Sequence, residues 1–300
     1  MDEAIGLIGF GEVGGLFGAA LAADRSRNVC TYDVLLADAT AAPAMRARAS
    51  ERGVAAAESL AALLARSTLV VSAVTASQAL AVAREAAAHI REGAHFLDVN
   101  SASPGTKAEC ARAIDGAGAR YVEAAVMAPV GPSGLRVPML LGGKHAARLA
   151  PTLAALGFDA KPASERIGAV SAMKMCRSVM VKGLEAITIE CLVAARAYGV
   201  EDEVIASLAD SYPQTDWERQ AGYVFGRVIR HGRRRAEEMR EAAATVREIG
   251  LDGCMAAATA QRQQWVADLA RDGVLDPDRE WRDAADAAVA RMRQTVRAAD

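Results

Sequence analysis

Three hundred residues are enough for two domains or one large one, and a composition of 52% hydrophobic but only 4% aromatic residues builds cores from Ala, Val, Leu and Met. A net charge of −2, from 35 Lys+Arg against 37 Asp+Glu, gives no electrostatic footing for nucleic acid or an anionic membrane. Five scattered cysteines without a Cys-x-x-Cys, and four histidines without ligand spacing, fit a reducing cytoplasmic compartment and argue against a metal site.

The apolar stretch Ile5 to Ala23 follows an acidic Met1-Asp2-Glu3 and is rich in glycine, which argues against a secretory signal. Its opening, Ile5-Gly6-Leu7-Ile8, reads as a strand buried on both faces. The triplet Gly9, Gly11 and Gly14 follows, and then an Ala/Leu-rich helix. Gly9 suits a tight turn, Gly11 the approach of a pyrophosphate, and Gly14 close packing of helix on strand. Phe10, Glu12 and Val13 lie between them, where the helix N-terminus would offer N–H donors to phosphates. Asn28 to Asp33 reads as the second strand, and Asp33 falls where a carboxylate meets an adenosine ribose. With Val34 and Leu35 beside it, Asp33 favours NAD, while Arg25 and Arg27 are near enough in sequence to keep NADP possible. A βα turn that binds nothing is the plain alternative.

Ala37 to Glu51 is helix-like but carries Pro43, Gly53 to Ala56 resembles a short edge strand, and Ser59 opens a helix to Arg66. The uncharged run from Ser67 to Ala83 holds Ser72, Thr75, Ser77 and Gln78, so it reads as strand, turn and helix rather than a lipid span. Val74, Thr75 and Gln78, at a strand's carboxyl end, are candidate cofactor contacts or ordinary loop and cap residues. His95 to Val99 is the next strand, ending in Asn100-Ser101-Ala102-Ser103-Pro104. Capping of the following helix explains Ser103 but not Asn100 and Ser101, which put amide and hydroxyl groups over the same crevice. Arg120 to Val126 is a further strand, and Val137 to Gly143 resembles the one that closes the unit. Beyond Glu165 strand signals stop. Helices are expected to Ala197, from Glu203, from Ala221 to Ile249, from Met255 to Ala270 and from Trp281 onward. The reading is α/β: a Rossmann-type, doubly wound parallel sheet over residues 1–166, then an all-α domain over 167–300.

The joining helix places Lys174, Arg177, Ser178 and Glu185 within about a third of its circumference. Spacing alone makes such a stripe a solvated face. The order of glycine fingerprint, Asp-x-Asn-Ser-x-Ser-Pro strand end and lysine early in a long interdomain helix resembles the β-hydroxyacid dehydrogenase superfamily, which includes 3-hydroxyisobutyrate and 6-phosphogluconate dehydrogenases. The segments Pro213 to Trp217 and His231 to Met239 are similar to a less characterised branch. The resemblance implies Lys174 as catalytic acid/base, Asn100 and Ser101 at substrate or nicotinamide, and a homodimer through the helical domain.

Two departures bear on substrate. The family's Lys-x-x-Asn-Asn becomes Lys174-Met-Cys-Arg177-Ser178, and its Ser-Gly-Gly turn aligns with Met127-Ala128-Pro129. A bulky side chain and a proline without an N–H cannot hold a carboxylate as that turn does. Arg177 could hold a carboxylate or phosphate instead, or pair at the surface with Glu185 or Asp210. His231 could bind an anionic substrate, even from a partner subunit, or belong to a solvated basic helix start. Tyr212 and Trp217 read as interface or core aromatics. The expected activity is hydride transfer between NAD(P) and a small, anionic hydroxy or carbonyl substrate. An imine reductase and a non-catalytic NAD sensor are the competing readings.

Overall fold

In the computed structural model, which describes residues 4–297, the chain forms two compact units that divide between Lys174 and Met175. The acidic Met1 to Glu3 lies outside the described residues. The first unit alternates strands and helices: β1 (Ala4–Ile8), α1 (Glu12–Ala22), β2 (Asn28–Tyr32), α2 (Ala42–Glu51), β3 (Ala55–Ala56), α3 (Leu60–Arg66), β4 (Leu69–Ser72) and α4 (Ala79–Ala87). It continues with β5 (His95–Asp98), α5 (Pro104–Gly116), β6 (Arg120–Val126), β7 (Met139–Gly142), α6 (Ala146–Ala155) and β8 (Ala160–Ser164).

These strands make one sheet in the order β3-β2-β1-β4-β5-β6-β7-β8. Order reverses between β1 and β4, so the crevice beyond their carboxyl ends is the switch point where ligands bind in such sheets. Alternate strand residues feed two cores: Leu69 and Val71 pack with Phe17 and Leu149 on one face, Val70 and Phe96 with Leu63 and Cys110 on the other. Both faces are therefore covered by helices, which explains why the strands read as continuous apolar runs.

Three features depart from the sequence expectation. β7 runs antiparallel to β6, with Val126 opposite Met139, because the intervening loop has no crossover helix. The sheet is thus mostly, not wholly, parallel. The closing strand is β8, not β7; its sequence Ala-Lys-Pro-Ala-Ser lacks β-branched residues, and its Pro162 is tolerated at an edge. Pro43 starts α2 instead of breaking it.

A helix, α7 (Ala169–Tyr198), carries the chain from the first unit into the second. The division falls inside it, beyond the Arg166 expected from sequence, because its start is tied to the sheet. The Gly168 N–H donates to Glu123 Oε1 on β6 at 2.7 Å, and the Ser171 hydroxyl donates to Glu123 Oε2. The second unit adds α8 (Glu201–Ser211), α9 (Trp217–Glu248), α10 (Cys254–Arg271) and α11 (Trp281–Arg297). Its main core joins Ile189, Val224, Val266 and Trp281, one from each of α7, α9, α10 and α11. Tyr212 and Trp217 meet edge to face at 5.9 Å. No helix among the described residues is long and apolar enough to cross a membrane.

Candidate functional site

β1 ends in the glycine turn. Gly9 adopts φ +86°, and a Cβ there would lie 2.5 Å from the Ala73 carbonyl oxygen; at Gly14 it would lie 2.0 Å from that of Gly9. Gly11 differs, since a Cβ there would meet nothing within 4 Å. Glycine is thus forced at 9 and 14 by packing, while at 11 it leaves room beside the N-terminus of α1, where Glu12 and Val13 begin the first turn. Room for a pyrophosphate, N–H donors and the positive helix end coincide, so these residues fit a dinucleotide.

Asp33 follows β2 and clamps this turn. Its Oδ2 accepts the Phe10 N–H at 2.8 Å and its Oδ1 the Leu35 N–H at 3.0 Å. The Phe10 ring itself is buried in the core, under the Arg52 guanidinium at 5.8 Å. Arg48 donates to the Gly11 carbonyl at 3.2 Å, a contact from α2 that no motif announced.

The ends of β4 and β5 are joined by Asn100. Its Oδ1 accepts the Val74 N–H at 2.7 Å, and its Nδ2 donates to Ser72 Oγ at 3.0 Å. Asn100 is therefore buried as a clamp between strand ends. Thr75 and Gln78 are exposed, and Gln78 makes no side-chain cap to α4. Ser103 does cap α5, accepting the Thr106 N–H at 3.3 Å.

Beneath this strand end sits a group that sequence reading missed. Asp98, 1% exposed, receives Lys107 Nζ at 2.8 Å, the Tyr121 hydroxyl at 2.7 Å and the Asn100 N–H at 2.9 Å. Burial, followed by the Asp98 charge, drives the Tyr121 phenol well above its ordinary pKa, so it remains a donor. The signal was present: Lys107 heads the buried α5 stripe Lys107, Cys110, Ala111, Ile114, where a cation requires a partner.

Ser101 is the next residue, and Lys174 Nζ donates to its Oγ at 2.6 Å. Lys174 lies one turn beyond Ser171, so the Glu123 anchor fixes the helix segment that carries it. The first unit thereby gathers the glycine turn, Asp33, Val74, Asn100, Ser101 and Lys174. Met127 is half-buried, with its N–H donated to the Pro138 carbonyl at 2.9 Å.

The remaining candidates belong to the second unit. Ser178 is buried, while Arg177 and His231 are exposed. Two surface readings are corrected. Glu185 does not pair with Arg177; it is 4% exposed, bonded to Arg235 and 3.6 Å from Arg227 Nε. The stripe on α7 is also only partly solvated, since Arg177 is exposed and Lys174 half-buried whereas Ser178 and Glu185 are buried.

Comparison with known proteins gives a consistent picture. Residues 4–157 match the model of the NAD binding domain of 6-phosphogluconate dehydrogenase, and residues 195–266 match a domain of unknown function, DUF1932. A conserved hypothetical protein from Sinorhizobium meliloti 1021 is 36% identical, with 97% of each chain covered and a TM-score of 0.79. A conserved protein of unknown function, MTH1747, described as structurally similar to 3-hydroxyacid dehydrogenases, is 30% identical over 89% of this chain and 98% of that one, with a TM-score of 0.69. At 17% identity the fold is shared with Mycobacterium tuberculosis 3-hydroxyisobutyrate dehydrogenase, solved with L-serine, over 98% and 100% of the chains at a TM-score of 0.64. An Aspergillus terreus reductive aminase in complex with NADPH shares it at 18% identity over 96% and 99%, with a TM-score of 0.55.

Proposed function

The chain belongs to the β-hydroxyacid dehydrogenase superfamily of NAD(P)-dependent enzymes acting on CH–OH groups, and from that premise we propose that Lys174 is its acid/base. The observation that carries this is the Lys174 ammonium at 2.6 Å from Ser101 Oγ, in the same unit as the glycine turn. The bound nicotinamide supplies or takes up the hydride. Lys174 polarises the substrate oxygen and gives it a proton in reduction, or takes the hydroxyl proton in oxidation. Ser101 holds the ammonium in place, and Asn100 keeps the strand end beneath Ser101 fixed through Val74 and Ser72.

The substrate is a small hydroxy or carbonyl compound with an anionic group. Arg177, three residues past Lys174 in sequence, supports that charge, and the Met127 turn, its N–H already donated, gives a reason to seek the anion site elsewhere. Asp33 favours NAD over NADP. Imine reduction is the second reading, favoured by the same ammonium, which can protonate nitrogen as well as oxygen. A panel of small aldehydes, keto acids and cyclic imines, run with NADH and NADPH, separates these readings from a sensor that turns over none of them.

Lys174→Ala is expected to lower turnover at least about a hundredfold, with NADH affinity by fluorescence titration unchanged. Turnover in that variant equal to the parent's would remove Lys174 from the chemistry.

We also read the protein as a homodimer through its helical unit, working in the cytoplasm. Met180, Leu184 and Ile187 are 64%, 56% and 54% exposed at helical spacing along α7, an apolar stripe that suits a second copy. All five cysteines are free, as a reducing compartment requires. Light scattering should give twice the chain mass, and Leu184→Glu should halve it; a monomeric parent would end the dimer reading.

A further inference from the structure

The charges around the glycine turn do not follow what the helix dipoles favour. Arg48 stands in the last turn of α2, where a cation suits the negative end of its own helix. Its side chain instead crosses to α1 and reaches the carbonyl of Gly11, the residue that caps the positive end of that helix. This carbonyl already accepts the Gly15 N–H at 3.0 Å, so the bond from Arg48 Nη2, at 3.2 Å, meets no unfilled need.

A second cation stands behind the first. Arg52, four residues on, lies over the Phe10 ring at 5.8 Å, and a Cβ at Gly15 would strike its Nη1. That nitrogen is buried without a hydrogen-bond partner. The carboxylates of this turn are Glu12, in the first turn of α1, and Asp33, whose oxygens hold the Phe10 and Leu35 N–H groups. Neither arginine forms an ion pair among the described residues. Like charges four residues apart repel, and cations at a helix N-terminus are disfavoured. The arrangement destabilises the unliganded chain and makes sense once an anion is present. Room for one exists: Gly11 is exposed, a Cβ on it would meet nothing within 4 Å, and α1 has no side-chain cap.

We propose that Arg48 is a cofactor-binding residue whose guanidinium pairs with the pyrophosphate of the bound dinucleotide, adding a side chain to the backbone cradle. A guanidinium carries five N–H donors in a planar fork; one is occupied by Gly11, and the others suit phosphate oxygens. The Gly11 carbonyl then serves to aim the fork. Arg52 adds positive potential from behind. The pyrophosphate is favoured over a ribose 2′-phosphate, because Arg48 is held at the glycine that admits the pyrophosphate, while the ribose position belongs to Asp33. This inference rests on the dinucleotide site and not on Lys174 as acid/base.

The test is fluorescence titration of NADH and of NADPH into the unliganded protein. Arg48→Gln should weaken both about tenfold and by the same factor, since both carry the pyrophosphate. Arg48→Lys, which keeps the charge but loses the fork, should fall between. The gap between parent and Arg48→Gln should narrow as salt is raised. Thermal melting separates this role from a structural one. Unliganded Arg48→Gln should melt no lower than the parent, while the rise in Tm produced by NADH should shrink. Unchanged NADH affinity in Arg48→Gln, a loss confined to NADPH, or a lower melting temperature with an unaltered NADH-induced rise would each overturn the proposal. Failure of the parent to bind either nucleotide would overturn it together with the dinucleotide site, so the two failures are read separately.

Discussion

Both units bury ions, but they finish them differently. In the first, Asp98 has Lys107, the Tyr121 hydroxyl and the Asn100 N–H, and Glu123 has the Gly168 N–H and the Ser171 hydroxyl. Every oxygen of these two carboxylates is bonded, and each stands on a central strand. In the second, the Glu185 group leaves Arg227 Nε, Arg235 Nε and Gln263 Oε1 buried without a hydrogen bond. The sheet network is closed around its carboxylates; the helical one retains alternatives, with Arg227 Nε 3.6 Å from Glu185 Oε1. A closed network holds Lys174 and the strand ends rigid.

The sharpest way to break that contrast is to remove one cation from each network. Lys107→Met strands Asp98 beneath the sheet and should cost about 3–5 kcal/mol in denaturant unfolding. Arg235→Met leaves Arg227 able to close on Glu185, and should cost about 1–2 kcal/mol by the same measurement. Equal losses would show that the helical network is as closed as the other. The smallest effect is one of pH. Burial, then the charges of Arg120, His145 and Arg148, lowers the His95 pKa to about 4 in the folded chain. Between about 6.5 and 4 the unfolded chain binds a proton that the folded one refuses, so stability should rise with pH across that window and fall as it is acidified. His95→Gln should flatten this part of the stability profile; an unchanged slope would assign it to other groups.

Much of the site was legible because its residues are locally determined. The glycine triplet, the Ser59 and Ser103 caps and the second-unit helices follow from backbone rules acting over a few residues. Lys107, Asp98, Glu123 and Lys182 were not recovered. Each looks like an ordinary surface charge until a partner far along the chain arrives: Tyr121 for Asp98, Ser171 for Glu123, Glu238 for Lys182. The α7 stripe misled for the same reason, since helical spacing shows that residues share a face but not what that face meets.

By itself, the sequence determined the alternation of apolar runs and helices, the glycine cradle and the lysine early in the long helix. Those features depend on propensity, periodicity and steric need within short segments. Only the tertiary structure decided that β7 turns antiparallel, that β8 closes the sheet, that Asn100 clamps two strands and that Ser178 and Glu185 of α7 are buried. Burying a charge is costly until its partner is in place, and the partners stand on elements that only folding brings together.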